Sequence, residues 1–464
     1  MVELVIIVIY LLGVTIVGII SQRQAKNADD FFVAGRKGST LFITGSLLAT
    51  IIGGSATVGM AGLGFSRGLT GAWWLLVGSI GLIFLGVFFA RKVRKLALYT
   101  LPELIAHQYD RRVALAASVL IVLSWVGITA AQVIAAGKIL GILGLGSPVM
   151  WMVIFTVVFV AYTILGGQYA IIRTDALQAI IIFGGVFGGL ALLFSRLGGW
   201  SGLQSALPAT HFAFPTNPQF GGVSLVSMLL LVGLTYVVGP DMYSRLFSAR
   251  DDKTARRAAL WTAFLLIPAA LAITLIGMGA AARFPGISPE LAFPTVIKEV
   301  LPPVLGGLVL AALLCAVMSS ADTILMSAST ILAVDIIGSL RPSFKNNILA
   351  NSRWLIAVLG AVSLIVALML QGVISALLFA YTVYTSGVIL PVIAGFFKER
   401  LKVTPAGALV ALIGGGGAGL ISKLVPVRYL DLGALLLSGL LLFLVSYLDN
   451  RLRKRGTSAG VPDK

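Results

Sequence analysis

The sequence predicts an all-α, polytopic membrane protein of about 13 transmembrane helices, and three observations lead there. The 464 residues are 58% hydrophobic and only 11% charged, with a mean hydropathy of +1.03, whereas a water-soluble chain averages about 45–50% apolar and about 25% charged. The apolar residues fall in runs close to the ~20 residues needed to cross a bilayer, and short loops between them leave no room for a soluble domain. The formal charge of +17, from 34 Lys and Arg against 17 Asp and Glu, is sorted by side rather than gathered in a patch.

The runs are 2–22, 39–66, 69–90, 113–141, 147–166, 175–197, 222–247, 255–282, 303–337, 351–370, 372–397, 404–424 and 430–449. The first lacks a basic start and a small-residue cleavage site, so it reads as a span rather than a signal peptide. Assigning the loops alternately to two sides puts 27 of the 34 Lys and Arg on one side. That side holds Arg23 to Lys37, Arg91 to Arg112, Arg173, Arg245 to Arg257, Arg341 to Arg353, Lys398 to Lys402 and the tail from Arg451. The other keeps Arg67, Lys138, Arg196, Arg283, Lys298, Lys423 and Arg428. Basic loops stay in the cytoplasm, so the amino terminus is expected outside and the carboxyl terminus inside. Nucleic acid is excluded as a partner, because no basic patch carries interleaved aromatics.

Residue counts remove further classes. A single cysteine, Cys315, rules out a disulfide framework and a thiolate zinc site. His107 and His211 are too few for a haem or multi-His centre, and neither lies within a run. No nucleophile–base pair can then be completed in the membrane, and an enzyme is not expected. A channel would want a continuous polar lining, whereas intramembrane charge is nearly confined to one layer. A membrane sensor would want an appended domain, and only a short basic tail follows Asn450.

Two runs contain segments poorly suited to regular helix. The second passes through Gly53-Gly54-Ser55, three weak helix formers in succession. The seventh contains Gly239-Pro240, which removes a backbone donor and frees a carbonyl. Freed backbone groups at membrane depth are tolerated where they line a cavity; close helix packing and a simple kink are the plainer alternatives. Five spans separate the two breaks, a spacing that suits two five-helix halves, 39–197 and 222–397, related as inverted repeats.

The ninth run holds Ser319, Asp322 and Thr323 at i, i+3 and i+4, on one helical face. An ionisable residue inside a span costs roughly 2.5–3.5 kcal/mol and marks a functional position by default. Two hydroxyls and a carboxylate are hard oxygen donors, suited to an alkali cation or a proton. Asp175 opens the sixth run, where an acid complementing the helix dipole is an equal alternative. Asp241 is four residues from Arg245, the spacing of a local ion pair, and Asp335 reads as structural.

These stretches resemble the sodium:solute symporter family, which includes sodium-coupled glucose, proline, pantothenate, sialic acid and choline carriers. The resemblance rests on Phe32-Val33-Ala34-Gly35-Arg36, on Ala49-Thr50 with Gly59-Met60-Ala61-Gly62, and on Gly166-Gly167 with Thr174-Asp175 and Gln178. It continues through Arg245-Leu246-Phe247-Ser248-Ala249-Arg250-Asp251 and Ala316-Val317-Met318-Ser319-Ser320-Ala321-Asp322. No one motif decides it; their order over residues 30–400 does. The resemblance implies a LeuT-like 5+5 inverted repeat in a single transporter domain spanning 1–464. One extra helix (2–22) precedes the repeats, two (404–449) follow, and 450–464 is a cytoplasmic tail.

It also implies a sodium ion held by the carbonyls of Ala49, Ile52 and Ala316 and the hydroxyls of Ser319 and Ser320. A second ion or proton position falls on Asp175, Ser319, Asp322 and Thr323, with Asp322 departing from members that carry serine there. The solute belongs beside the break, near Thr50, Gly53, Gly54, Ser55 and Thr57, where exposed amide N–H groups offer a seat for a carboxylate. Trp125, Thr129, Gln132, Tyr236 and Tyr381 are candidate walls, with ordinary packing as their alternative. Ile51 stands where the choline branch has an aromatic residue, which disfavours a quaternary ammonium.

The expected function is inward sodium movement coupled to uptake of a small carboxylate, amino acid or sugar by alternating access. Proton coupling through Asp322 or Asp175 is the alternative, and an ion channel or sensor the alternative of another class. The expected setting is the plasma membrane, with the lipid bilayer and the solute as partners and the chain acting as a monomer.

Overall fold

The computed structural model describes residues 2–22, 27–370, 372–425, 427 and 429–458. Arg23, Lys26, Arg428 and the tail beyond residue 458, which entered the charge count, lie outside the described residues. The principal helices are α1 (Val2–Gln22), α2 (Thr40–Ile51), α3 (Met60–Arg67), α4 (Trp73–Phe84), α5 (Arg111–Gly141) and α6 (Pro148–Leu197). They continue with α7 (Pro240–Ser248), α8 (Asp252–Arg283), α9 (Pro303–Ile331), α10 (Ile348–Leu370), α11 (Val373–Tyr384), α12 (Pro405–Leu424) and α13 (Leu430–Ser458). Among the described residues, 11 helical stretches are long and apolar enough to cross a membrane. Val2–Gly13 and Thr40–Ile51 are shorter apolar helices.

Burial orders these helices from centre to rim. In α9 and its continuation 83% of the most apolar window is buried, against 33% for α10. The central helix packs on α6, α5, α1 and α2, so each of its faces meets protein. Peripheral helices keep exposed Leu, Ile and Phe, as a lipid-facing surface requires.

Both expected breaks are present. Ile52 leaves helical geometry at φ −83°, ψ 58°, and a π-helical turn over Ser55–Gly59 leads into α3. In the seventh run, Leu234–Val237 ends at Val238 (φ −133°, ψ 78°), and helix restarts with Pro240 at its first position. Proline is at home there, since its missing N–H is unpaired in any helix start.

The boundary between the fifth and sixth runs differs from expectation. Residues 167–174 are helix rather than loop, and α6 is interrupted at Gly167 alone (φ 56°, ψ −161°). Gln168 to Thr174 contains no helix breaker, so the second half starts at the glycine. Two loops also contain helices that periodicity over short stretches did not reveal. Leu101–Gln108 is capped by Thr100, which accepts Glu103 N–H at 3.2 Å, while Glu103 Oε2 accepts Tyr99 N–H at 2.7 Å. Ala292–Val300 buries Phe293, Val296 and Ile297.

The loops segregate to two ends. Arg36 donates to Ala97 O at 2.8 Å, Arg94 to Ala249 O at 2.5 Å, and Lys398 to Gln108 O at 2.8 Å. Gly38 bridges Ala249, so the base-rich loops form one end. At the other, Asn217 Nδ2 donates to Arg67 O at 2.8 Å and Trp73 Nε1 to Pro215 O at 2.8 Å.

Gly167 tests this framework. A Cβ there would lie 2.5 Å from the Phe31 ring, in a left-handed backbone conformation. Gly167→Ala is expected to destabilise the protein by about 1–3 kcal/mol, read as a lower Tm in detergent. Gly184→Ala, whose added methyl meets open space, is expected to leave Tm unchanged.

Candidate functional site

The site forms where α9 passes the break after α2. Ile52 N–H still bonds Leu48 O at 2.9 Å, and helical bonding resumes with Thr57 N–H to Gly53 O at 2.9 Å. Side chains from other helices fill the gap. Ser320 Oγ donates to Thr50 O and also lies 3.1 Å from Ala316 O, one turn back on its own helix. Gln132 Oε1 accepts Gly54 N–H at 2.8 Å. The approach is so close that a Cβ on Gly53 would lie 2.0 Å from Ser320 Oγ. Glycine is required there by contact.

Ala49, Ile52, Ala316, Ser319 and Ser320 are all buried at this junction. The carbonyl that meets Ser320 is that of Thr50, a residue expected only as a solute contact. Ser319 turns the other way and donates to Asp175 Oδ1.

Asp175 does not open a helix. It lies two turns past Gly167 and is fully buried. Its Oδ2 accepts Ser46 Oγ–H at 2.5 Å and pairs with Arg245 Nη2 at 3.2 Å. Arg245, expected among the cytoplasmic bases and beside Asp241, is itself 0% exposed. The helix restart at Pro240 places it more than a turn inside α7, aimed across the bundle. Nη2 donates to Thr50 Oγ1 at 2.8 Å and to Thr323 Oγ1, Nε to Ser46 Oγ at 3.1 Å, and Nη1 to Ser244 Oγ at 3.3 Å. A tethered guanidinium therefore stands among Asp175 and Thr323, two members of the expected second-ion set. Asp322 is also fully buried. Its Oδ1 accepts Thr323 Oγ1–H at 3.3 Å, and its Oδ2 has no hydrogen-bond partner.

A cavity of about 30 Å³ lies beside this cluster. Six of the expected solute residues line it: Thr50, Ser55, Trp125, Gln132, Tyr236 and Tyr381. Gly53 and Gly54 lie instead against Ser320 and Gln132. Thr57 Oγ1 bonds back to Gly53 O at 2.9 Å, and Thr129 Oγ1 to Trp125 O at 2.9 Å. Sequence reasoning missed Thr235, Asp241 and Met242 in the lining, although an acid directly after a Gly-Pro break was a usable signal. Trp125 Nε1 is buried without a partner, and the Trp125 ring meets Tyr384 edge-on at 4.7 Å. Tyr384 OH in turn donates to Val238 O at the second break.

Comparison with known proteins decides the family. The profile of the sodium:solute symporter family matches residues 31–415. The chain belongs to that family. It is a multi-pass, sodium-coupled solute symporter and not an enzyme. Human sodium/glucose cotransporter 4 is 26% identical over 477 residues, covering 91% of this chain and 69% of the relative. The sodium/glucose cotransporter of Vibrio parahaemolyticus is 25% identical over 469 residues, covering 92% and 86%. The outward-open structure of a Na⁺-coupled sialic acid symporter superposes with a TM-score of 0.82 at 20% identity, covering 97% of this chain and 98% of that one. A nucleobase-cation-symport-1 family transporter gives a TM-score of 0.51 at 15% identity, covering 92% of this chain. These two likenesses establish the shared fold of this family member.

The buried charges make a contrast that stability measures. Asp175→Asn strands the Arg245 guanidinium, and breaking a buried pair costs about 3–5 kcal/mol. Asp322→Asn preserves the shape of the side chain and breaks no ion pair among the described residues. A large fall in Tm is expected for the first variant and a small one for the second. Equal losses would mean that Asp322 is ionised and held by a cation.

Proposed function

We propose that this symporter couples inward sodium movement to uptake of a small polyhydroxylated solute by alternating access. One observation carries the reading: Ser320 closes on the Thr50 carbonyl at a helix break, and Thr50 also lines the solute cavity. Sodium lies among the Ala49, Ile52 and Ala316 carbonyls and the Ser319 and Ser320 hydroxyls, with the Thr50 carbonyl within reach. Hard oxygen donors of this kind suit an alkali cation. A membrane potential of about 100 mV supplies about 2.3 kcal/mol per charge, enough for one ion to drive substantial accumulation.

A second sodium at Asp175 is disfavoured, because Arg245 already neutralises that carboxylate. Asp322 is the place for a proton. Its Oδ2, buried and without a hydrogen-bond partner, is where that proton attaches. This keeps proton coupling as the second reading.

What the cavity offers supports this solute class. The Gly54 N–H, expected to seat a carboxylate, is taken by Gln132. Asp241 lines the same space, so an anionic solute meets a like charge. Gln132, Asp241, Thr235, Ser55 and the unpartnered Trp125 N–H suit a solute that donates and accepts several hydrogen bonds. Its apolar face can lie on Tyr236 and Tyr381. The sodium/glucose cotransporter relatives agree with that class.

A cavity of about 30 Å³ holds roughly two waters, whereas solute pockets span about 300–1,000 Å³. It is the contracted state of the cycle. Lys138 pairs with Glu290 at the base-poor end, and Glu290 Oε1 accepts Val373 N–H at 3.0 Å. Towards the other end, Phe32, Tyr99, Gln168 and Ser327 line a second cavity of about 10 Å³. Following the charge bias, the base-rich end is cytoplasmic, and the single chain works in the plasma membrane with its amino terminus outside.

In proteoliposomes, solute uptake is expected with sodium and not when potassium replaces it; equal uptake in both would sink the reading. Ser319→Ala with Ser320→Ala is expected to weaken apparent sodium affinity at least tenfold, about 1.4 kcal/mol. Asp241→Asn is expected to raise the KM for a neutral polyol, with sodium affinity unchanged.

A further inference from the structure

Away from the ion site, a cleft of about 580 Å³ opens at the base-rich end. Three segments wall it: Ala90–Lys95, Leu101–Gln108 and the turn from Gly395 to Arg400. The last two are fastened together. Gln108 Nε2 donates to Val392 O at 3.2 Å, Tyr109 OH to Pro391 O at 2.7 Å, and Lys398 Nζ to Gln108 O at 2.8 Å. Two of the three walls are therefore held to each other.

Its lining has two chemistries. Lys92, Lys398 and Arg400 bring three positive charges, with His107 beside them and Glu399 as the one acid. The lysines are held over aromatic rings, Lys92 over Phe397 at 5.4 Å and Lys398 over Tyr109 at 5.7 Å. Gln108 is 7% exposed, and its Oε1 has no hydrogen-bond partner. An acceptor left bare in that position calls for a donor from a ligand, since an unmet buried polar group costs about 1–3 kcal/mol. The required headgroup carries both an anion for the lysines and a hydroxyl for Gln108.

An apolar track leads to the same place. The Phe89 ring lies tilted against Phe396 at 4.8 Å and edge-on to Phe397 at 6.3 Å. Phe88 touches Phe89 at 6.4 Å and is itself 53% exposed, in line with exposed Phe84 and Val87. That strip is a bilayer-facing flank. A ligand seated here can hold its charge in the cleft and its tail along the flank.

We propose that this cleft binds an anionic phosphoglyceride through its phosphate and a headgroup hydroxyl. Phosphate meets Lys92, Lys398 and Arg400, the hydroxyl donates to Gln108 Oε1, and an acyl chain follows Phe88 and Phe84. Basic pockets among membrane helices on the cytoplasmic side are suited to such headgroups. The site is independent of the transported solute and of the ion junction.

The test uses the purified full chain in neutral detergent, with Tm read while short-chain lipids are titrated. Phosphatidylglycerol is expected to raise Tm saturably, and phosphatidylcholine and free glycerol 1-phosphate are expected to do so at least tenfold less effectively. Lys92→Gln with Arg400→Gln, both exposed positions, should raise the half-saturating phosphatidylglycerol concentration at least fivefold. Gln108→Leu should erase the preference for phosphatidylglycerol over phosphatidic acid, which lacks the hydroxyl. Equal shifts with phosphatidylcholine, or a double variant that titrates like wild type, overturn the proposal. A full response to glycerol 1-phosphate also overturns it, by making the ligand a soluble phosphate.

Discussion

A buried guanidinium holds the centre of this protein together. Arg245 reaches from α7 to Ser46 and Thr50 on α2, Asp175 on α6 and Thr323 on α9. Moving a charge of that size into a low-dielectric interior is expensive unless its hydrogen bonds are met, so those four helices cannot separate freely around it. The broken helix is thereby pinned on one side by charge. On its other side, Ser320 closes against Thr50 O. What remains open for a mobile ion is the junction between these two anchors.

The fold was legible where physics acts over short stretches of chain. Runs of apolar residues, a charge bias between alternate loops, and glycine or proline inside a span each report a local constraint imposed by the bilayer. The helix breaks at Ile52 and Val238 follow directly from neighbouring glycines and Pro240. Boundaries were less legible. Residues 168–174 look like a loop because Gln168, Arg173 and Thr174 are polar, yet nothing after Gly167 stops a helix. The turn at Thr100 to Glu103 carries a local capping pattern that a search for spans passes over.

The site was legible in its oxygen donors and not in its cation. Ser319, Ser320 and Asp322 stand out because hydroxyls and a carboxyl in an apolar run have few structural uses. Arg245 had an ordinary explanation, a base near a loop, and only its distance from Asp175 removes it. Sequence separation hides that contact: 70 residues lie between the partners. The same holds for Gln132, whose carbonyl takes Gly54 N–H from 78 residues away. A bare amide at a helix break invites an anion on local grounds, but a bilayer protein must satisfy that amide in every state. Its own glutamine does so here, and a carboxylate would have to displace it.

Two of the three seats expected for charged guests are thus filled by tethered groups, Gln132 at the amide and Arg245 at Asp175. The chemistry left for coupling concentrates on Thr50. Its carbonyl accepts Ser320 Oγ–H, its hydroxyl accepts Arg245 Nη2, and its side chain lines the solute cavity. Under the proposed mechanism, a sodium ion drawn to the Ser319 and Ser320 hydroxyls would compete for that carbonyl, while a solute entering beside Gln132 would press on the same residue. Ion and solute need no long relay to sense one another. On that reading they meet at opposite sides of one threonine, and differential contact with a shared element is what coupling between two sites requires.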